Sequence, residues 1–131
     1  MAAIKPSPLV LIVDDAVDNR EGYVQYLQFC GFRTAEAATG PGALDEARRT
    51  QPDVILLDMR LPGLDGAEVT RRLRASGFEQ TPIIALSACV TQSDIAVALE
   101  SGCDAFLAKP CVPELVVDEI KRLLEKRISP L

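Results

Sequence analysis

Histidine is absent from this 131-residue chain, which excludes imidazole acid–base catalysis, histidine metal sites and any service as a phosphohistidine donor. Chemistry must come from carboxylates, hydroxyls and lysine. A cationic excess is also lacking: 14 Lys and Arg stand against 19 Asp and Glu, a net charge of −5. That balance argues against a nucleic-acid or anionic-membrane surface as the main partner. Cys30, Cys89, Cys103 and Cys111 show no CxxC spacing, so neither a zinc site nor a thioredoxin-like motif is expected, and reduced, part-buried thiols are. No apolar run is long enough for a signal core or a membrane span; the stretch Leu9 to Val13 is far too short. These absences describe a soluble cytoplasmic protein whose partners are other proteins. No composition shift or repeat breaks the chain, so a single domain over residues 9–127 is expected, with a leader at 1–8 and a tail at 128–131.

What is present is an alternation. Leu9-Val-Leu-Ile-Val13 is a continuous aliphatic run stopped by Asp14-Asp15, the pattern of a strand buried on both faces of a parallel sheet. From Val17 to Cys30, Tyr23, Val24, Leu27 and Cys30 recur at helical spacing, and Gly31 follows as a stop. A second strand is expected near Arg33 to Ala37, then a helix opened by Gly40-Pro41-Gly42 and running through Arg49. Val54 to Leu57 ends at Asp58, and a helix is expected from about Asp65 to Arg74. Pro82 to Leu86 ends at Ser87, followed by a helix from Gln92 to Ser101. Ala105 to Ala108 ends at Lys109-Pro110, before a last helix from Pro113 to about Lys126. Five strands alternating with five helices require crossovers, hence a doubly wound α/β sandwich: a five-stranded parallel sheet with helices on both faces.

Asp14, Asp15, Asp58, Ser87 and Lys109 each follow an aliphatic run, which places them at carboxyl ends of parallel strands, where open α/β folds bind ligands. Three crowded carboxylates repel, and the usual remedy is a hard divalent cation; without histidine that is Mg²⁺ before Zn²⁺. Mg²⁺ retains waters and commonly adds a phosphate oxygen, leaving room for a phosphoryl group.

Asp14-Asp15, Asp58 followed by Pro62 and Gly66, Ser87-Ala88 and Lys109-Pro110 together resemble the receiver domains of bacterial two-component response regulators. The resemblance implies a flavodoxin-like strand order 2-1-3-4-5 and a signalling switch, not an enzyme. In it Asp58 is the phosphoacceptor, fed by a histidine kinase or histidine phosphotransfer protein. Asp14, Asp15, Asp58 and the backbone carbonyl of Arg60 would hold Mg²⁺, with Mn²⁺ as a substitute. Lys109 would pair with a phosphoryl oxygen, Ser87 would donate to another, and small Ala88 would leave access. Phe106 would move as Ser87 is drawn inward, reshaping the fourth helix, fifth strand and fifth helix for a downstream target or a phosphorylation-dependent homodimer. Lys109-Pro110 would match the family's cis peptide, with trans left open by the sequence.

Three departures stand out. Ile95-Ala-Val-Ala-Leu99 is too apolar for a helix with one buried face; Ile95, Val97 and Leu99 are therefore expected to offer an exposed partner surface. Val112 stands where the last helix wants a polar cap. Arg60 and Cys89, two positions after Asp58 and Ser87, occupy sites where the family tunes phosphoryl lifetime, and the bulk of Arg60 is expected to shield the acyl phosphate. Two other functions compete. A haloacid-dehalogenase-like phosphohydrolase would need Asp-x-Asp after the first strand, which here ends in adjacent aspartates while the Asp58 strand ends Asp-Met-Arg, and a phosphate-independent interaction module would not need an intact acidic pocket.

Overall fold

The computed structural model describes residues 7–128. Ten elements alternate through the chain: β1 (Leu9–Val13), α1 (Val17–Phe29), β2 (Arg33–Ala37), α2 (Gly40–Thr50), β3 (Val54–Asp58), α3 (Gly66–Ala75), β4 (Ile83–Ser87), α4 (Gln92–Ser101), β5 (Ala105–Ala108) and α5 (Pro113–Ile128). The strands pair in parallel in the order β2-β1-β3-β4-β5, the doubly wound arrangement expected from the sequence.

The aliphatic runs are continuous because both faces of the sheet are covered. Leu11, Val13, Ile55 and Leu57 belong to one core with α2, α3 and α4, while Val10, Ile12, Val54 and Leu56 belong to the other with α1 and α5. Neighbouring residues of one strand thus serve opposite cores, the period of two in a pleated strand. The edge strands β2 and β5 are only partly buried, consistent with their weaker aliphatic character.

Local chemistry sets the helix ends. Thr39 accepts from Gly42 N–H with Pro41 in the first turn of α2, Asp65 accepts from Glu68 N–H at α3, and Thr91 and Asp94 form a reciprocal capping box at α4. Gly102, at φ 119°, ends α4 in the left-handed region.

Several expectations shift. Helix α1 stops at Phe29, not Cys30; α3 begins at Gly66 because Asp65 is its cap; and α5 continues to Ile128, one residue into the expected tail. Cys30 is exposed, not part-buried, because the apolar residues of α1 are spread around the helix. Only Tyr23 and Leu27 are buried there, and Phe29 is 86% exposed. Residues 1–6 of the expected leader and 129–131 of the tail lie outside the described residues.

Candidate functional site

The strand order reverses between β1 and β3, and their carboxyl ends carry Asp14-Asp15 and Asp58 side by side. This is the crevice where an open α/β sheet presents groups to a ligand. Asp14 is 1% exposed and Asp58 5%, whereas Asp15 faces solvent. One carboxylate oxygen from each of the three lies within 4.8 Å of the other two.

Each buried carboxylate is held. Asp14 Oδ1 accepts from Ala16 N–H at 2.8 Å, and its backbone carbonyl accepts from Arg20 Nη1 at 2.7 Å, while Arg20 Nε reaches Glu36 at 3.0 Å. Asp58 Oδ1 accepts from Arg60 N–H at 2.9 Å. The ammonium of Lys109 donates to Asp58 Oδ2 at 2.8 Å and to Asp14 Oδ2 at 3.3 Å. Burial alone would lower the Lys109 pKa, but hydrogen bonding and attraction to Asp58 and Asp14 outweigh it and hold the pKa above the ordinary value. The lysine therefore stays charged.

Backbone geometry aims these groups. Lys109 N–H bonds to Ser87 O at 2.8 Å, which anchors the end of β5 to β4, and the Lys109–Pro110 bond is cis. Gly66 lets α3 approach the end of β3: a Cβ there would meet Asp58 O and Met59 Cα at 2.7 Å. No larger residue fits without displacing the backbone of Asp58 and Met59.

The structure brings Asp14, Asp15, Asp58 and Lys109 into one cluster. Ser87 stands at the adjoining strand end, 3% exposed, with its Oγ accepting from Cys89 N–H at 3.0 Å. Phe106 is partly buried against the core and lines a cavity of about 160 Å³ with Ser87, Met59, Val97 and Ala98. Arg60 is exposed, its Nη2 against Cys89 Sγ at 2.7 Å, so the two loops touch across the mouth of the site. On α4, Val97 and Leu99 are 49% and 47% exposed, while Ala98 is buried and Ile95, expected to be exposed, is half-buried; Val97, two positions from each of the other two, points to a different side of the helix and borders the cavity with Ser87.

Two residues on α1 escaped the sequence reading. Arg20 fixes the Asp14 carbonyl, and the Tyr23 hydroxyl donates to Cys111 O at 2.9 Å, 88 positions away. Tyr23 carries the signal of a core residue, and its polar partner is brought to it only by the fold.

The donor set suits a hard cation. Three carboxylates against one ammonium leave two excess negative charges in a site of oxygen ligands, the chemistry of Mg²⁺.

A family model described as the response regulator receiver domain matches residues 10–121. The transcriptional regulatory protein PrrA of Mycobacterium tuberculosis is 40% identical over 123 residues, covering 94% of this chain and 52% of PrrA. The DNA-binding response regulator MtrA of Mycobacterium leprae is 37% identical over 117 residues, covering 89% and 51%. The chain thus spans about half the length of these curated relatives. Among solved structures, the receiver domain of sensor histidine kinase PA1611 from Pseudomonas aeruginosa, with magnesium coordinated in its active-site cleft, superposes with a TM-score of 0.84 at 34% identity, covering 91% of this chain and 98% of that one. Chemotaxis protein CheY4 of Vibrio cholerae gives 0.85 at 30% identity, covering 89% and 98%.

Proposed function

The chain belongs to the response regulator receiver family, and on that premise we propose that residues 9–127 form a phosphorylation switch whose acceptor is Asp58. The observation that carries this reading is the setting of that carboxylate. It is buried at the end of β3, hydrogen-bonded through one oxygen to Arg60 N–H and through the other to the Lys109 ammonium, with Asp14 and Asp15 beside it.

The donor is the phosphohistidine of a histidine kinase or a histidine phosphotransfer protein. An oxygen of Asp58 forms the new P–O bond as the P–N bond breaks; the leaving imidazole nitrogen keeps that electron pair and takes a proton from solvent. Lys109, already bonded to Asp58, is placed to pair with a phosphoryl oxygen. The Ser87 hydroxyl accepts from Cys89 N–H and keeps its own proton free to donate to another. Asp14, Asp15, Asp58 and the Arg60 carbonyl would hold Mg²⁺, which when bound neutralises the carboxylates and the incoming phosphoryl oxygens.

The output follows from the cavity behind Ser87. Phe106 borders this space together with α4, so an inward movement of Ser87 and Phe106 would shift the α4 surface that includes Ile95, Val97 and Leu99. That face is the proposed docking surface for a target protein or a second phosphorylated copy. The relatives are named as DNA-binding and transcriptional regulators; for this chain we propose a protein partner, as its acidic charge indicates. Among the described residues no helix is long and apolar enough to cross a membrane, and a cytoplasmic setting fits the proposed donor.

The phosphohydrolase reading is not favoured, because β3 ends Asp58-Met59-Arg60 without the second aspartate that turnover requires. The intact pocket argues against a phosphate-independent module.

Incubation with phosphoramidate and Mg²⁺ is expected to give a single phosphoryl adduct by intact mass, absent from Asp58→Ala and from a Mg²⁺-free control. Sedimentation of the same samples tests the homodimer. An adduct that persists in Asp58→Ala would overturn the assignment. Arg60, held against Cys89, is proposed to shield the acyl phosphate: Arg60→Ala should shorten its half-life several-fold, roughly 1 kcal/mol of barrier. An unchanged half-life would remove that role.

A further inference from the structure

The chain leaves β5 at Lys109 and must turn at once into α5, through three residues poorly equipped to hold themselves. Pro110 has no N–H, Val112 offers no polar cap, and the Val112 carbonyl is taken by the Leu115 and Val116 N–H groups of the helix itself. On its β5 side Lys109 is anchored by Ser87 O; on the α5 side the segment needs a second tie. Among the described residues, the one hydrogen bond that reaches 110–112 from elsewhere in the fold comes from Tyr23 to the Cys111 carbonyl.

Tyr23 is suited to the task. Its ring is 7% exposed and packs in the core with Val116, Val117 and Ile120 of α5, so α1 and α5 fix the ring and the ring fixes the loop. A cavity of about 430 Å³ opens beside it, bordered by Asp18, Tyr23, Ala88, Lys109 and Cys111. Tyr23 thus borders the same space as Lys109. Without its bond, the two residues that follow Lys109 would be free to swing into that space.

We propose that Tyr23 is a positioning residue for phosphoryl uptake: by holding the Cys111 carbonyl it fixes the segment after Lys109 and so keeps the Lys109 ammonium on Asp58. This rests on Asp58 being the phosphoacceptor. It assigns to α1 a control over the lysine that the cluster of strand-end residues does not itself contain. Misplacing a catalytic group by a fraction of an ångström to an ångström costs up to about a hundredfold in rate, and the loss of one tether belongs at the lower end.

The test is Tyr23→Phe, which keeps the ring and removes only the oxygen. Its phosphorylation by phosphoramidate should be slowed about tenfold, with Mg²⁺ affinity and thermal midpoint close to those of the parent. The same change made in Lys109→Ala should slow nothing further, because the hydroxyl acts through the lysine. Independently of phosphorylation, reductive methylation followed by peptide mass spectrometry should label Lys109 several-fold faster in Tyr23→Phe, measured against Lys121 and Lys126 as internal standards. Equal slowing in both backgrounds, or unchanged labelling of Lys109, would overturn the proposal. If the parent itself takes no phosphoryl group, the Asp58 reading fails, and the labelling ratio still decides whether Tyr23 holds the lysine.

Discussion

Cys103 is a thiol with no part in the chemistry, yet it leaves a signature on stability. It is 7% exposed beneath the end of α3, 3.5 Å from Thr70 Oγ1, whose hydroxyl donates to Gly66 O. Burial raises its pKa; contacts with Thr70, Ser101 and Arg74 oppose that rise without cancelling it. Burial raises Cys111 in the same direction. The sign follows from proton counts. In the unfolded chain a thiol ionises from about pH 8.5, while the folded chain still holds the proton, so the unfolded state is favoured as pH climbs from there through the folded value. The thiols' contribution to stability measured by urea unfolding should therefore be constant up to about pH 8 and fall above it. Cys103→Ser should flatten that decline; an undiminished slope would assign it elsewhere.

At the scale of elements, Arg74 works as a bracket. From the last turn of α3 its Nη1 donates to Phe78 O at 2.6 Å and Thr81 O at 2.7 Å, and its Nη2 to Gly102 O at 2.7 Å and Asp104 Oδ2 at 2.9 Å. Asp104 in turn accepts from Ile83 N–H, so one guanidinium joins α3, the start of β4 and the turn between α4 and β5. Removing it strands carbonyls that are only partly solvated, and Arg74→Ala should cost about 2 kcal/mol by urea unfolding. Arg74→Lys should recover only a fraction, since an ammonium cannot span the same fork; full recovery would reduce the bracket to simple charge. None of this was legible in the sequence, where Arg74 is one more basic residue on a helix. The strands were legible because β1, β3 and β4 lie between two cores and cannot be other than aliphatic. The acidic cluster was legible because it sits where those runs stop. What escaped depends on partners far apart in the chain, the Tyr23–Cys111 and Arg74–Gly102 bonds, and on the spread of apolar residues around α1, which leaves Phe29 and Cys30 exposed.

The molecule as a whole is built around an unbalanced charge. Folding brings Asp14, Asp15 and Asp58 together with Lys109 as the one cation, among the described residues, that pairs with their carboxylates, and that repulsion is relieved whenever the chain unfolds and the carboxylates separate. The metal-free fold is accordingly less stable than its cores allow, and a divalent cation that binds only the native cluster should stabilise it by mass action. At a hundredfold excess over its dissociation constant, the gain is about 2.7 kcal/mol, a rise in thermal midpoint on the order of 5–10 °C for a chain of this size. Chelation by EDTA should reverse it. Asp15→Asn separates metal binding from general screening. Asp15 faces solvent and supports neither core, so the variant should fold, and with one repelling charge removed its metal-free midpoint should equal or exceed the parent's. It should also lose most of the Mg²⁺ response. NaCl at matched ionic strength should reproduce only a small part of the parent's shift, because screening acts weakly on the buried Asp14 and Asp58. If NaCl gives the same shift as Mg²⁺, or if Asp15→Asn responds to Mg²⁺ as fully as the parent, the cluster is not a divalent site and the fold carries its charge by other means.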